Sequence, residues 1–267
     1  MAVYGQFMGD QIQNDIRKRN FGMTKLLCFA HRGASGHEPE NTLSAIEKAI
    51  SMGTDWIEID VYAVEGKLIV IHDERLERTT NGYGYVVEKS LEYLRSLDAG
   101  KGQRIPTLTE VCDLVDRKAG INVELKGPGM AYLTVSLINN YARERFWSYD
   151  QFIVSSFNHH NLVKIKKAQP RIKTGVLIND ISTHYAEFAQ EIGAYSVHSR
   201  IDSINKAFVE DAHKRGLKVF VFTVNHPEDL ARMEEMDVDG VFTNYPEIVL
   251  SKYKGCDYAK LLKNEND

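Results

Sequence analysis

The chain has 267 residues, of which 43% are hydrophobic, 10% aromatic and 26% charged. That is the profile of a globular protein able to fill a sizeable core, and it excludes a disordered or collagen-like chain. With 33 Lys and Arg against 37 Asp and Glu, the net charge is −4, which argues against a nucleic-acid or anionic-membrane partner.

Residues 1–24 lack the apolar stretch of a secretory signal, and Arg17-Lys18-Arg19 lies in a polar run. They are expected to be an N-terminal extension, upstream of the natural start or vector-derived. The longest apolar runs, such as Leu26–Ala30, are too short to span a bilayer. Cys28, Cys112 and Cys256 are odd in number and scattered, so neither a disulfide framework nor a Cys-x-x-Cys metal site is expected. A reduced, cytoplasmic protein follows, with no stable membrane association. The oligomeric state is not written in the sequence.

From residue 25 to about 255, strand-like runs alternate with amphipathic helical stretches. The strands are expected at Leu26–Ala30, Trp56–Asp60, Ile121–Lys126, Phe152–Ser155, Thr174–Ile178, Tyr195–His198, Lys218–Thr223 and Gly240–Thr243. Between them, Asn41 is expected to cap a helix carrying Ile46, Ala49 and Ile50 that Gly53 closes. Thr107-x-x-Glu110 reads as a capping box. Tyr185, Phe188, Ala189 and Ile192 share a helix face ended by Gly193, and Pro227 suits a first helical turn. Eight strands with helical crossovers predict an α/β TIM (β/α)₈ barrel, with a doubly wound open sheet as the alternative, because periodicity alone does not show closure. Residues 256–267 are a C-terminal tail.

One connection breaks the alternation. Between Glu58 and His72 there is room only for a β-hairpin turning near Gly66. A two-residue loop would pair Ile59 with His72 and point the imidazole away from the carboxylates. A three-residue loop would place it beside them, and is the expectation. After Asp73 comes an insertion, residues 74–106, with a turn at Asn81-Gly82 and a short helix near Leu91–Leu97.

Active sites in such barrels gather at the C-terminal strand ends. There the sequence places His31-Arg32-Gly33, Glu58-Ile59-Asp60 and Glu124-Leu125-Lys126, with His72-Asp73 from the hairpin. Alternation puts Glu58 and Asp60 on one face, and likewise Glu124 and Lys126. Three carboxylates on one rim repel unless a cation neutralises them, and oxygen-only ligation suits Mg²⁺ or Ca²⁺. Arg32 and Lys126 add positive charge around the same point, which makes a site for a phosphate ester. Two histidines supply an acid and a base near neutral pH. His198 ends the sixth strand and is expected to face the same rim.

These motifs resemble those of the glycerophosphodiester phosphodiesterases. The matching stretches are His31-Arg32-Gly33, Pro39-Glu40-Asn41-Thr42, Glu58-Ile59-Asp60, His72-Asp73, Arg78-Thr79-Thr80-Asn81-Gly82, Ile105-Pro106-Thr107-Leu108, Val123-Glu124-Leu125-Lys126 and Ser156-Phe157. Thr223-Val224-Asn225 and the run from Asp239 to Pro246 match as well, so the resemblance spans about residues 26–250. It implies a metal-dependent hydrolysis of glycerophosphodiesters, such as glycerophosphocholine or glycerophosphoethanolamine, to glycerol 3-phosphate and an alcohol. By the same resemblance Glu58, Asp60 and Glu124 are metal ligands, His31 and His72 the acid/base pair, and Arg32 and Lys126 phosphate contacts. Glu40 belongs to the substrate set, orienting His31 or the metal shell.

Two positions depart from the family pattern. Phe222 stands where the family usually has Trp, and is expected to wall the glycerol pocket. Asn244 stands where Asp is common, near the barrel bottom or rim. Neither change is expected to touch the metal or the histidines. The alternatives are a lysophospholipase D acting on lysophospholipids and a non-catalytic glycerophosphodiester-binding barrel.

Overall fold

The structure, a computed structural model, describes residues 26–180 and 183–254. The extension 1–24, the tail 256–267 and Cys256 lie outside the described residues. No described helix is long and apolar enough to cross a membrane.

Eight parallel strands close into a ring: β1 (Leu27–His31), β2 (Trp56–Val64), β4 (Gly120–Leu125), β5 (Phe152–Ser156), β6 (Lys173–Ile178), β7 (Ser196–Arg200), β8 (Lys218–Phe222) and β9 (Gly240–Thr243). Closure comes from β1, which pairs with both β2 and β9. β3 (Lys67–Val70) is the antiparallel return of the hairpin. Helices α1 (Leu43–Met52), α3 (Leu108–Val115), α4 (Ala131–Glu144), α5 (His159–Ala168), α6 (Thr183–Glu191), α7 (Lys206–Lys214), α8 (Pro227–Glu235) and α9 (Glu247–Lys254) follow successive barrel strands, and α2 (Leu91–Ser96) lies in the insertion. This is the expected (β/α)₈ barrel.

The local rules explain most helix ends. Thr107 and Glu110 form the capping box in both directions. Pro227 opens α8, and Gly53 closes α1 in the left-handed region at φ 78°. The cap of α1 is a correction: Thr42, not Asn41, accepts the hydrogen bond from Ala45 N. Asn41 is diverted because its carboxamide is needed elsewhere, as described below.

The hairpin is a second correction. It turns on two residues, Glu65 and Gly66, at φ 48° and 73°, the doubly positive pair that matches strand twist. Val64 pairs with Lys67 and Val61 with Val70, the register expected to point His72 away. His72 escapes that outcome because the ladder ends first. β3 stops at Val70, Ile71 N donates to Asp60 O at 3.0 Å, and residues 72–74 bend out of the sheet. Strand alternation governs only residues still in the strand.

Two apolar layers hold the barrel. The outer one packs strand faces such as Ile57, Ile59, Val154 and Val219 against the helices. The inner one is an aromatic plug of Phe29, Phe220 and Phe242 with Ile153, and Phe29 lies 4.7 Å from each of the other two rings. The insertion builds a third cluster, in which Leu76, Val86 and Leu94 pack with Ile69 of β3. It is therefore anchored to the hairpin by buried side chains.

Candidate active site

Parallel register sets the rows of the site. His31 pairs with Glu58 and Glu58 with Asn122, while Asp60 pairs with Glu124 and Glu124 with Ser155. These side chains project into the barrel above the aromatic plug. Donor oxygens of Glu58, Asp60 and Glu124 all lie within 4.8 Å of one another. Glu58 is 2% exposed and Asp60 1%, so water offers their charges little screening.

Cations surround this acidic cluster. Lys126 Nζ lies 2.7 Å from Glu124 Oε1 and 3.5 Å from Asp60 Oδ1. Arg32 has φ 57° beside Gly33 at 80°, a sharp turn that aims its backbone N–H at Glu58 Oε2, 2.9 Å away. Its guanidinium reaches Glu40 at 2.7 Å and Asp60 at 3.4 Å. Asn41 completes the Asp60 environment: Nδ2 donates to Asp60 Oδ2 at 3.0 Å, and Oδ1 accepts from Asp60 N at 3.2 Å. Sequence reasoning placed Asn41 only as a cap, although it sits beside Glu40 in the matched motif.

Burial and mutual repulsion set the three carboxylates apart. Burial, with the charges of Asp60 and Glu124, pushes Glu58 well above the usual carboxylate range. Glu124 is pushed up to about 7 by burial and by Asp60, with Lys126 opposing. Against its own burial, Lys126 and Arg32 hold Asp60 below its ordinary value. Glu58 Oε1 is buried and without a hydrogen-bond partner among the described residues. A hard divalent cation fits here: it would use the free oxygen and remove the repulsion that raises Glu58 and Glu124.

The histidines stand in unlike settings. His31 Nδ1 lies 2.7 Å from Asn244 Oδ1 and its Nε2 4.0 Å from Glu58 Oε2. Asn244 is itself held by Asn225, whose Oδ1 accepts from its backbone N–H at 2.9 Å. Burial, then the charge of Arg32, lowers His31 to about 4. The expectation that the change at Asn244 leaves the histidines alone is thus corrected, because β9 ends beside β1 and brings Asn244 onto the imidazole. His72 is more open, with 29% of its side chain exposed, and its Nδ1 lies 2.5 Å from Asp73 Oδ1. Burial lowers it too, partly offset by Asp60, while Arg32 and Lys126 add to the lowering. The Ile71 N–H bond to Asp60 O, one residue before it, ties it to the same site.

Of the two expected partners, Glu40 does not touch His31; it reaches the acidic cluster through Arg32, which lies 3.4 Å from Asp60. Its carboxylate takes Arg32 on one side at 2.7 Å and Arg78 of the insertion on the other at 2.7 and 2.8 Å. Burial opposes its charge, but hydrogen bonds from Arg78 and the charge of Arg32 hold it below its ordinary value. The hydrogen bond from Arg78 likewise holds Asp73 below the carboxylate range.

A small pocket opens beside these groups, lined by His31, Glu58, Glu124 and Phe222 and, earlier along their strands, by Asn122, Ser155 and His198. Phe222 meets Phe157 edge-on at 6.2 Å, an apolar wall at the mouth. His198 is a further correction. β7 runs on to Arg200, so His198 lies in the floor of the cavity, fully buried, with Nε2 2.8 Å from Ser196 Oγ. Gly175 on the neighbouring strand makes room for it, since a Cβ there would overlap the imidazole.

A profile of the glycerophosphoryl diester phosphodiesterase family matches residues 31–248 of this chain. The chain belongs to that family. A glycerophosphodiester phosphodiesterase of Caldanaerobacter subterraneus subsp. tengcongensis is 39% identical over 241 residues, covering 85% of this chain and 97% of the relative. One of Bacillus subtilis is 35% identical over 256 residues, covering 86% and 87%. An Oleispira antarctica phosphodiesterase, solved with its product sn-glycerol-3-phosphate, superposes with a TM-score of 0.78 at 31% identity, covering 85% of this chain and 96% of that one. The chain is thus a member of a phosphodiesterase family, with a buried acidic cluster at its centre suited to a divalent metal.

Proposed function

We propose that this phosphodiesterase hydrolyses deacylated, water-soluble glycerophosphodiesters such as glycerophosphocholine or glycerophosphoethanolamine to glycerol 3-phosphate and an alcohol. The observation that carries the proposal is the placing of His31 and His72 around one acidic cluster flanked by Arg32 and Lys126. The product bound by the Oleispira phosphodiesterase supports the substrate class.

Glu58, Asp60 and Glu124 would hold Mg²⁺ or Ca²⁺, whose charge, when bound, polarises a phosphoryl oxygen. Arg32 and Lys126 bind the phosphoryl group and offset charge that builds on it in the transition state. His31 is suited to the base. Its Nδ1–H is committed to Asn244, so Nε2 keeps a lone pair facing the cavity. It takes the proton of the attacking oxygen, which is either water, giving glycerol 3-phosphate directly, or the glycerol 2-hydroxyl, giving a cyclic phosphate that a water molecule then opens to glycerol 3-phosphate. His72 stands at the more open side, and its Nδ1–H donates to Asp73, a contact that, with the charge of Asp60, offsets part of the lowering by burial. It returns a proton to the departing alcohol oxygen as the P–O bond breaks. Phe222 and Phe157 shield the glycerol end from water.

The test is glycerol 3-phosphate release from glycerophosphocholine with Mg²⁺ or Ca²⁺, then with excess EDTA. Turnover abolished by EDTA and restored by metal is expected. Absence of turnover on every deacylated diester, with turnover on lysophospholipids, would overturn the substrate assignment.

A further inference from the structure

Arg78 projects from the insertion, yet its guanidinium joins two branches of the site. Nε and Nη2 donate to the two oxygens of Asp73 at 2.5 and 2.9 Å. Nη1 and Nη2 donate to the two oxygens of Glu40 at 2.7 and 2.8 Å. Asp73 in turn accepts from His72 Nδ1 at 2.5 Å, and Glu40 accepts from Arg32 Nη1 at 2.7 Å. A continuous chain therefore runs His72–Asp73–Arg78–Glu40–Arg32, from one end of the site to the other.

Isolated surface ion pairs contribute little, and the Arg78 side chain is 48% exposed. This one differs in geometry. Four of the five guanidinium N–H groups are spent in two forks, an arrangement that only arginine supplies. The backbone presenting it is also held. Thr80 N donates to Leu76 O at 3.0 Å, Asn81 N to Asp98 O at 3.1 Å, and Asp98 N to Asn81 Oδ1 at 2.9 Å. Leu76 is fully buried in the insertion's own apolar cluster. Without the guanidinium, Asp73 and Glu40 would be two like charges on one rim, free to turn away from His72 and Arg32.

We propose that Arg78 is a positioning residue, which sets the His72 imidazole and the Arg32 guanidinium in register through Asp73 and Glu40. The insertion thereby becomes a structural part of the reaction centre. This rests on the roles given above to His72 and Arg32, and it adds a residue that touches neither the phosphate nor the metal ligands.

The test uses Arg78→Ala and Arg78→Lys in the full chain. Arg78→Ala should lower kcat by about 10–100-fold, the usual effect of losing a group that orients a site residue, with KM changed far less. Methylguanidinium should restore part of the loss, and Lys, which cannot form both forks, should recover less than half of it. The ¹⁵N resonances of His72 should report the Nδ1–H tautomer in the unaltered protein and a tautomer mixture in Arg78→Ala. An unchanged His72 tautomer would overturn the proposal, as would a loss of kcat that methylguanidinium does not rescue. The tautomer is read without substrate, so a wrong substrate assignment and a wrong role for Arg78 give different results.

Discussion

The carboxamide oxygen of Asn244 accepts a hydrogen bond from His31 Nδ1–H at 2.7 Å, across 213 residues of sequence. A neutral acceptor holds the ring and its tautomer without adding the negative charge that would favour imidazolium. Burial first and the Arg32 charge second lower His31 to about 4, with the Asn244 hydrogen bond opposing them only in part.

Asn244→Asp should change the charge and keep the hydrogen bond. A carboxylate at this distance raises the pKa of an imidazole, by about 1–3 units. If neutral His31 is the base, the acid limb of the kcat/KM profile moves to higher pH in the variant. An acid limb that stays in place would remove His31 from the base role.

Glu58→Gln separates metal binding from packing. Gln keeps the acceptor for Arg32 N–H, 2.9 Å away in the native chain, and removes one of three repelling charges. Glu58 is raised well above its ordinary value by burial and by Asp60 and Glu124, so its ionised form costs stability at neutral pH. In EDTA the variant should melt at or above the temperature of the native protein. Added Mg²⁺ or Ca²⁺ should raise the melting temperature of the native protein only, and the variant should lack turnover. An equal rise in both would place the metal elsewhere.

His198 predicts a loss of stability on acidification. Burial lowers its pKa to about 3, against about 6.5 in an unfolded chain. Between those values the unfolded chain takes up a proton that the folded one refuses, so stability falls as pH drops below about 6.5. By pH 5 the contribution is about 2 kcal/mol. Glu58 and Glu124, with raised values, act in the opposite sense, so the quantity to measure is a difference. Denaturant unfolding of native protein and His198→Gln at pH 7 and pH 5 should show the smaller acid loss in the variant. Equal losses would mean that His198 is protonated in the folded state.

The architecture was legible because it rests on short-range patterns. Apolar runs of strand length, the Thr107–Glu110 capping box, Pro227 and Gly53 each act within a few residues, and eight such strands with crossovers leave few folds to choose from. The pairs Glu58 and Asp60, and Glu124 and Lys126, were legible for the same reason. Alternation places each pair on one strand face, and parallel strands bring their ends to one rim.

Other features depended on neighbours remote in sequence. The Glu65-Gly66 turn has the even register, and His72 reaches the site only because the chain leaves the sheet after Ile71. Where a strand ends is a balance of backbone hydrogen bonds against competing contacts, which alternation does not contain. His198 was misplaced by the same gap, since the layer a side chain occupies depends on the stagger between strands.

What the sequence by itself determined is the barrel, the charges available to it and the strand ends at which they gather, because periodicity and parallel pairing follow from local backbone geometry. What only the tertiary structure decided is the partner of each charge. Asn41 leaves its cap for Asp60, Glu40 takes Arg32 and Arg78, and Asn244 takes His31. Hydrogen bonds and ion pairs act over about 3 Å, so they are settled only once ring closure and the packed insertion bring distant segments to that distance.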